Sequence, residues 1–553
     1  MRATSSDVVI AGSGAAALTA AIAAADQGST VSLVEKSDKI GGSTSFSNGE
    51  IWVPNNHYMK QMNILDDKES ALRYLQNFDT GLMDSSLLLT YVESAPRVLE
   101  YLEEKTPLKV EQRYFPDYHA EFDGGRFGRS LGVSLFDLNS LGEWSSKVRL
   151  GKYPAATTRE VAEWTSGTAT SDVSKIKFDV IEERRKHGLV GRGSALVGML
   201  LKGCLDRNVT ILTKTPVKYV LKDSKGEIVG LEALAEGSGI KLLARKGVII
   251  ATGGFDWNEE LCKKFLMFPW ARPMSPTCIE GDGLILGLNI GADMEKMTHA
   301  LWAPCIAIPS DESSGRPVYR LLIYERALPG SIVVNKKGIR FVNEAVNYHD
   351  FVRAMHTFDS ASASFENVES WLILDQTFRN KYMVVGIRPS EPTPPWITTS
   401  QSLEGLAKKL GIDQEGLGKT VRRFNEYAVS GTDQDFHRGE CSYDLQYADK
   451  SNRPNPSLGK IVTPPFYAIR VFPGLIGTAG GMRINEKAQV LDQRHRVIPR
   501  LYACGNVASF LFAPAYPASG SGIGNAIVLG FIAGFSAASE GRKFGKSQCH
   551  PMS

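Results

Sequence analysis

Gly12-Ser13-Gly14-Ala15-Ala16-Ala17 stands directly after a short apolar run, Asp7–Ala11, and opens an alanine-rich stretch, Gly14–Gln27. In a G-x-G-x-x-G/A pattern the first glycine permits a tight turn and the second lets a pyrophosphate approach the backbone. A small third residue, here Ala17, lets helix and strand pack closely. Ala15 and Ala16 then begin a helix whose unpaired N–H groups and partial positive charge face the phosphates. Glu35, with Lys36 beside it, closes the next apolar run about 20 residues on, where a carboxylate binds the ribose hydroxyls. The continuation separates FAD from NAD. Gly41-Gly42-Ser43-Thr44 supplies a glycine pair able to track the pyrophosphate and flavin, and Ala251-Thr252-Gly253-Gly254 is a second glycine-ended strand. Near the C-terminus, Cys504-Gly505-Asn506 and Gly520–Asn525, with Gly522 and Ile523, give a further loop and helix start. That pair suits the pyrimidine end of a flavin. With a single fingerprint of this kind, a separate NAD(P)H site is not expected, and electrons come or go by another carrier.

These pieces must be positioned by a βαβ start: strand Asp7–Ala11, helix Gly14–Gln27, strand Thr30–Glu35. Helical periodicity runs from Asp66 to Glu103, Asp117–Arg129 reads as loop, and Gly193–Asp206 reads as a helix. Strands are expected at Val209–Leu212, Val217–Leu221, Ile228–Leu234 and Val248–Thr252. From about Ala292 to Tyr467 the rhythm changes, with Pro389, Pro392, Pro394 and Pro395 and helices over Gln401–Leu410 and Gly416–Val429. The first pattern resumes with Arg470–Asp492, the strand Leu501–Ala503 and a final helix from Gly522. The fold class is read as α/β. A Rossmann-like FAD-binding domain, split in sequence into 1–291 and 468–553, surrounds an inserted α+β catalytic domain, 292–467.

A chain of 553 residues, 43% apolar and 22% charged, has the composition of a globular protein too long for one core. The net charge is +3 and no basic run is interleaved with aromatics, so no nucleic-acid partner is expected. Seven cysteines, at 204, 262, 278, 305, 441, 504 and 549, form no CxxC pair, and the nine histidines show no metal spacing. Neither a disulfide framework nor a metal centre is expected, and a reducing, cytoplasmic setting is. Met1–Ser6 is polar and reads as no signal peptide. Gly522–Ala538 is shorter than the about 20 residues of a membrane span and reads as a buried helix. No transmembrane segment is therefore expected, while a peripheral membrane contact is left open for a hydrophobic substrate.

Beyond the nucleotide motif, four further groups occur in order along the chain. They are Phe115-Pro116-Asp117-Tyr118, Asn343-Glu344 with Tyr348, Phe436-His437-Arg438-Gly439-Glu440, and Tyr516-Pro517 with Gly520. With these the sequence resembles the FAD-dependent fumarate reductase and 3-ketosteroid dehydrogenase superfamily, and within it the 3-ketosteroid Δ1-dehydrogenases, over roughly Asp7 to Phe535. The resemblance implies non-covalent FAD and 1,2-desaturation of the A ring of a 3-ketosteroid or 3-keto triterpenoid, with an electron acceptor that it does not identify. It implies that Tyr348 removes the α proton and that C1 gives a hydride to flavin N5. The Tyr516 hydroxyl and the Gly520 N–H then bind the ketone, and Tyr118 supports the base. The chain departs from the glycine-rich Tyr-Pro-Gly-x-Gly pattern at Ala518, with serines at 519 and 521, which leaves the ring specificity open.

Breaking a C–H bond beside a ketone requires that the oxygen be stabilised as charge develops, and losing one preorganised donor costs on the order of 3 kcal/mol. Tyrosine, with an ordinary pKa of about 10, is a base only when its phenolate is stabilised, so an alkaline rate optimum is expected. His437 beside Arg438 and Glu440 reads as a structural cluster, and Trp302, Phe351 and Trp371 as core. A fumarate-reductase-like enzyme acting on dicarboxylates would need arginines at Tyr348 and in the Ala515-Tyr516-Pro517 loop, and both are missing. Gly41–Gly49 contains no histidine for a covalent flavin bond. A 3-ketosteroid 4-dehydrogenase acting on 5α-saturated steroids would use the same groups with the steroid turned. A protein that merely binds flavin or steroid would not need a base facing a ketone clamp.

Overall fold

A computed structural model describes residues 2–164, 175–268, 271–313 and 315–540. The chain opens with β1 (Arg2–Ala11), α1 (Ala15–Asp26) and β2 (Val31–Val34). Val8–Ala11 and Val31–Val34 are buried throughout, as a continuous apolar run must be when both faces of a parallel sheet are covered. The periodic stretch from Asp66 to Glu103 is two helices, Lys68–Gln76 and Ser85–Lys105. Asp67 caps the first through Ser70 N–H, and Asp84 caps the second through Ser86 and Leu87 N–H. Then come α2 (Arg192–Leu205), β3 (Thr210–Leu212) and β4 (Ser238–Ile250). The second half of the chain contributes β5 (Ala300–Ser313), β6 (Ser331–Asn335), α3 (Tyr348–Met355), β7 (Ser370–Asp375), β8 (Phe466–Thr478), β9 (Val497–Ala503) and α4 (Ser521–Ala538).

Eight strands form the first sheet, with β1 at its centre, parallel to β2 and β4, while β3 continues beyond β2 and β9 beyond β4. β1 and β4 are both longer than their apolar cores suggest. β1 starts at Arg2 because Arg2–Ser6 pairs with Ile240–Ala244, which satisfies the backbone of an otherwise polar segment. β4 starts at Ser238 because its first half alternates buried and exposed residues in a hairpin with Ile228–Ala235. Ala11 lies level with Val34 and Ile250, and Ile250 with Ala503. Four carboxyl ends therefore open side by side on one edge.

The second sheet has seven strands and is organised on β8, which pairs antiparallel with β5 and β7; β7 pairs in turn with β6. The boundary expected at 467/468 falls inside β8, and the chain rejoins the first sheet at Gln489–Leu491 beside β9. α4 packs along α1. It is long and apolar enough to cross a membrane by length and composition, yet 72% of it is buried inside the fold. Six cysteines are free, and Cys549 lies outside the described residues.

Candidate active site

The aligned strand ends open on a cavity of about 710 Å³. Its wall contains Gly12, Gly14, Ala15, Ala16, Glu35, Lys36, Gly42, Ser43, Thr44, Ala251, Gly253, Gly505, Asn506, Gly522 and Ile523 of the residues expected on the cofactor side, whereas Ala17, Gly41 and Gly254 lie outside it. Gly12 has φ +111°, and a Cβ there would come within 2.2 Å of the Ala251 carbonyl oxygen, so the two strand ends leave room for no side chain. The Ser13 hydroxyl donates to Glu35 Oε2 (2.6 Å) and accepts from Gly41 N–H (3.1 Å), while Thr44 Oγ1 accepts from Ala15 N–H (3.0 Å). Turn, acidic strand end and glycine-pair loop are thereby tied into one cradle. Burial raises the pKa of Glu35, against the hydrogen bonds from Ser13 and Ser37. Lys36 borders the cavity, but its ammonium is engaged by Asp282 (2.6 Å) and Glu280 (2.9 Å). A buried carboxylate, first-turn N–H groups without intrahelical acceptors and a backbone free of Cβ fit an extended dinucleotide. Glu35 would hold its ribose, α1 its pyrophosphate, and the Gly505 and α4 loops its flavin. Gly12→Ala is expected to yield protein purified without visible flavin absorbance. Retention of stoichiometric flavin would contradict this cradle.

Tyr348, Tyr516 and Gly520 line the same cavity. Tyr118 stands behind them, with ring centroids 5.3 Å from Tyr348 and 5.9 Å from Tyr516; Tyr348 and Tyr516 are 5.7 Å apart. The buried Tyr118 hydroxyl has no hydrogen-bond partner among the described residues, and the Tyr516 hydroxyl accepts from Gly522 N–H (3.4 Å). Gly520 caps α4 with φ +88°, and a Cβ on it would lie 2.7 Å from the Glu50 carbonyl carbon.

Three separate segments deliver these groups. Tyr118 N–H donates to Pro517 O (3.0 Å), so the first tyrosine is bonded to the loop of the third. Next to it, buried Asp117 accepts from Trp52 Nε1 (2.9 Å) and Arg129 Nη1 (2.8 Å), and Arg129 also holds Asp66 (2.6 Å). Tyr348 is the first residue of α3, capped by Asn347, whose Oδ1 accepts from Asp350 N–H (3.0 Å). Ahead of it, fully buried Glu344 is clasped by Arg340 (2.7 Å) and Arg438 (3.1 Å), and Arg340 also binds Asp433 (2.7 Å). The Phe436–Glu440 motif thus contributes Arg438 to the frame, whereas His437 pairs with Glu440 (3.2 Å) at the surface. Burial pushes the Tyr348 phenol well above its ordinary pKa, Tyr516 adds to this, and the Tyr118 hydroxyl acts the other way.

The FAD binding domain family matches residues 7–523. The chain belongs to that family. This flavoprotein is 35% identical to 4-oxocyclohexanecarboxylate 2-dehydrogenase of Sinomonas cyclohexanicum, covering 96% of this chain and 92% of the relative. It is 34% identical to 3-oxosteroid 1-dehydrogenase of Mycolicibacterium smegmatis, covering 95% and 96%. Among solved structures, 3-ketosteroid Δ1-dehydrogenase from Sterolibacterium denitrificans, in complex with 1,4-androstadiene-3,17-dione, superposes with a TM-score of 0.90. The identity is 34%, covering 97% of this chain and 99% of that one.

The flavoprotein's site also contains groups with no sequence signal. Glu50 is buried, ion-paired with Arg113, and accepts hydrogen bonds from Asn48 (2.8 Å) and the Ser519 hydroxyl, the residue before Gly520. His119 links the Tyr118 loop to the Tyr348 helix, with Nε2 2.8 Å from Asp350 and Nδ1 2.9 Å from Glu121. Burial disfavours its charge, but Asp350 and then Glu121 outweigh this and lift its pKa to about 9. A folded-state pKa above the unfolded value of about 6.5 stabilises the protein fully below pH 6.5, and the contribution fades as pH rises through about 9. It amounts to on the order of 3 kcal/mol. His119→Gln is expected to flatten the loss of Tm between pH 6.5 and 9; an unchanged slope in thermal scans would refute the assignment.

Proposed function

We propose that the chain is an FAD-dependent ketone dehydrogenase that introduces the 1,2 double bond into the A ring of a 3-ketosteroid. The observation that carries this reading is the convergence of Tyr348, Tyr516 and Gly520 on the cavity that also contains the dinucleotide cradle. Bound FAD supplies the hydride acceptor. The Tyr516 hydroxyl and the Gly520 N–H donate to the ketone oxygen and stabilise the negative charge that develops there. Tyr348, as phenolate, takes the α proton. The Tyr118 hydroxyl, which has no partner among the described residues, is the donor available to stabilise that phenolate. Because burial raises the Tyr348 pKa, the phenolate fraction grows tenfold per pH unit from neutrality upward, and the rate rises with it. Where arginines would clamp a dicarboxylate, this site has Tyr348 and Tyr516, so the fumarate-reductase reading has no support here.

No second nucleotide fingerprint supports NAD(P)H, so a separate electron acceptor completes the proposal. Six free cysteines support a reducing, cytoplasmic setting. A second substrate class deserves equal testing, because the relative from Sinomonas acts by name on a cyclohexanone carrying a carboxylate. The deciding assay supplies a dye acceptor with a 4-ene-3-ketosteroid, a 5α-saturated ketosteroid or 4-oxocyclohexanecarboxylate, and identifies products by mass and ultraviolet spectrum. A 1,4-diene from the first substrate establishes Δ1-dehydrogenation. A 4-ene from the saturated steroid, with the first untouched, would move the assignment to the 4-dehydrogenase. No product from any ketone would overturn the reading.

A further inference from the structure

His349 follows Tyr348 in the first turn of α3, is 2% exposed and does not line the cavity. Both of its ring nitrogens are engaged. Where β5 meets β8, Leu301 pairs with Gly477 but Trp302 pairs with Leu475, which leaves Ile476 as an extra residue. At this bulge the Trp302 N–H donates to His349 Nδ1 (3.3 Å). The other nitrogen, Nε2, lies 3.0 Å from Pro514 O, two residues before Tyr516. A backbone amide can only donate and a carbonyl can only accept. The two bonds therefore require one form of the ring, neutral with its proton on Nε2. Burial lowers the His349 pKa to about 4; Asp350 and the Pro514 carbonyl oppose the shift, and Arg353 and His299 reinforce it. The ring is thus neutral wherever a phenol base can work.

This bridge joins three segments on which the reaction depends. Its own helix starts with Tyr348, and Pro514 leads into Tyr516. The bulge belongs to strands whose Leu301, Ala303 and Ile476 line the cavity. The His349 and Tyr516 rings also stack, with centroids 6.1 Å apart and planes 27° from parallel. Among the described residues, the bond to Pro514 is the one hydrogen bond from α3 to the backbone of the loop 512–518. Reacting groups displaced by about 1 Å can lose about 10²-fold in rate even when the cause lies away from the chemistry.

We propose that His349 is a positioning residue that sets the separation of base and ketone clamp, holding α3 to the clamp loop and so Tyr348 to Tyr516. This rests on the ketone-dehydrogenase reading. His349→Phe keeps a ring in place and deletes both hydrogen bonds. It is expected to lower kcat about 10²-fold with KM and flavin content little changed, because only the transition state needs both phenols in register. His349→Gln, whose amide both donates and accepts, should recover about tenfold of that loss. The readout that a merely structural role would not move is the coupling between the two phenols. In the wild type the effects of Tyr348→Phe and Tyr516→Phe should fall far short of multiplying, whereas in the His349→Phe background they should multiply. A His349→Phe variant within about threefold of wild type, or one in which the phenols stay coupled, overturns the proposal. Nitrogen NMR of the FAD-loaded wild type tests the bridge without any substrate. At neutral pH His349 should show a protonated Nε2 and a bare Nδ1, and an imidazolium or the opposite tautomer overturns the bridge. Failure of every ketone to turn over would instead strike the dehydrogenase reading, since the tautomer judges the bridge by itself.

Discussion

Tyr348→Phe is expected to lower kcat by about a thousandfold, within the range of a lost general base, while flavin content stays at the wild-type level. Phenylalanine preserves the ring that packs 5.3 Å from Tyr118 and 5.7 Å from Tyr516, so the change deletes one oxygen and little else. The frame around it, built from Glu344, Arg340 and Arg438, is untouched. The measurement is anaerobic stopped-flow reduction of the flavin by saturating ketone, followed across pH. The wild-type rate should climb from neutral toward alkaline pH, and the residual rate of the variant should not. A variant within tenfold of wild type, or one retaining the alkaline rise, would remove Tyr348 from the role of base. At the upper end the rise meets an opposing trend, because the His119 link to Asp350 loosens as pH passes about 9. A falling limb that moves in His119→Gln would identify this cause.

The second large effect concerns the ketone clamp. Tyr516→Phe should cost about 10² to 10³ in kcat, or roughly 3 kcal/mol, because one of two donors to the developing oxyanion is lost. The Gly522 N–H that now donates to the Tyr516 hydroxyl loses its partner as well. At the first turn of α4 that adds about 1 kcal/mol of instability, to be checked by a Tm shift separate from the kinetic loss. Since base and clamp act in one transition state, the Tyr348→Phe/Tyr516→Phe double variant should be far less impaired than the product of the single effects. Fully multiplicative losses would mean that the two phenols serve different steps.

Much of the cofactor side was legible in the chain itself. The glycine turn, alanine helix and acidic strand end are local: each depends on side-chain volume, capping and periodicity within a few residues. Gly12, Ala15, Glu35, Thr44 and Ala251 accordingly line one cavity. Strand extents were less legible. The polar residues of Arg2–Ser6 and the alternating start of β4 become strand only because each supplies the other's neighbouring backbone.

The tyrosine cluster lies between these cases. Tyr118, Tyr348 and Tyr516 each stand in a motif legible in sequence, but no spacing in sequence says that Tyr118 N–H reaches Pro517 O or that Ser519 reaches Glu50. Those bonds join segments hundreds of residues apart. Nor does the chain order show that Arg129 bridges Asp66 and Asp117, 63 and 12 residues away, or that Glu50 meets Arg113, 63 residues on. The sequence by itself determined the dinucleotide cradle, because backbone sterics and helix-end polarity are properties of contiguous residues. Only the tertiary structure decided which charges pair and which phenols face the cavity, because burial and electrostatic pairing depend on distances that the chain order does not contain.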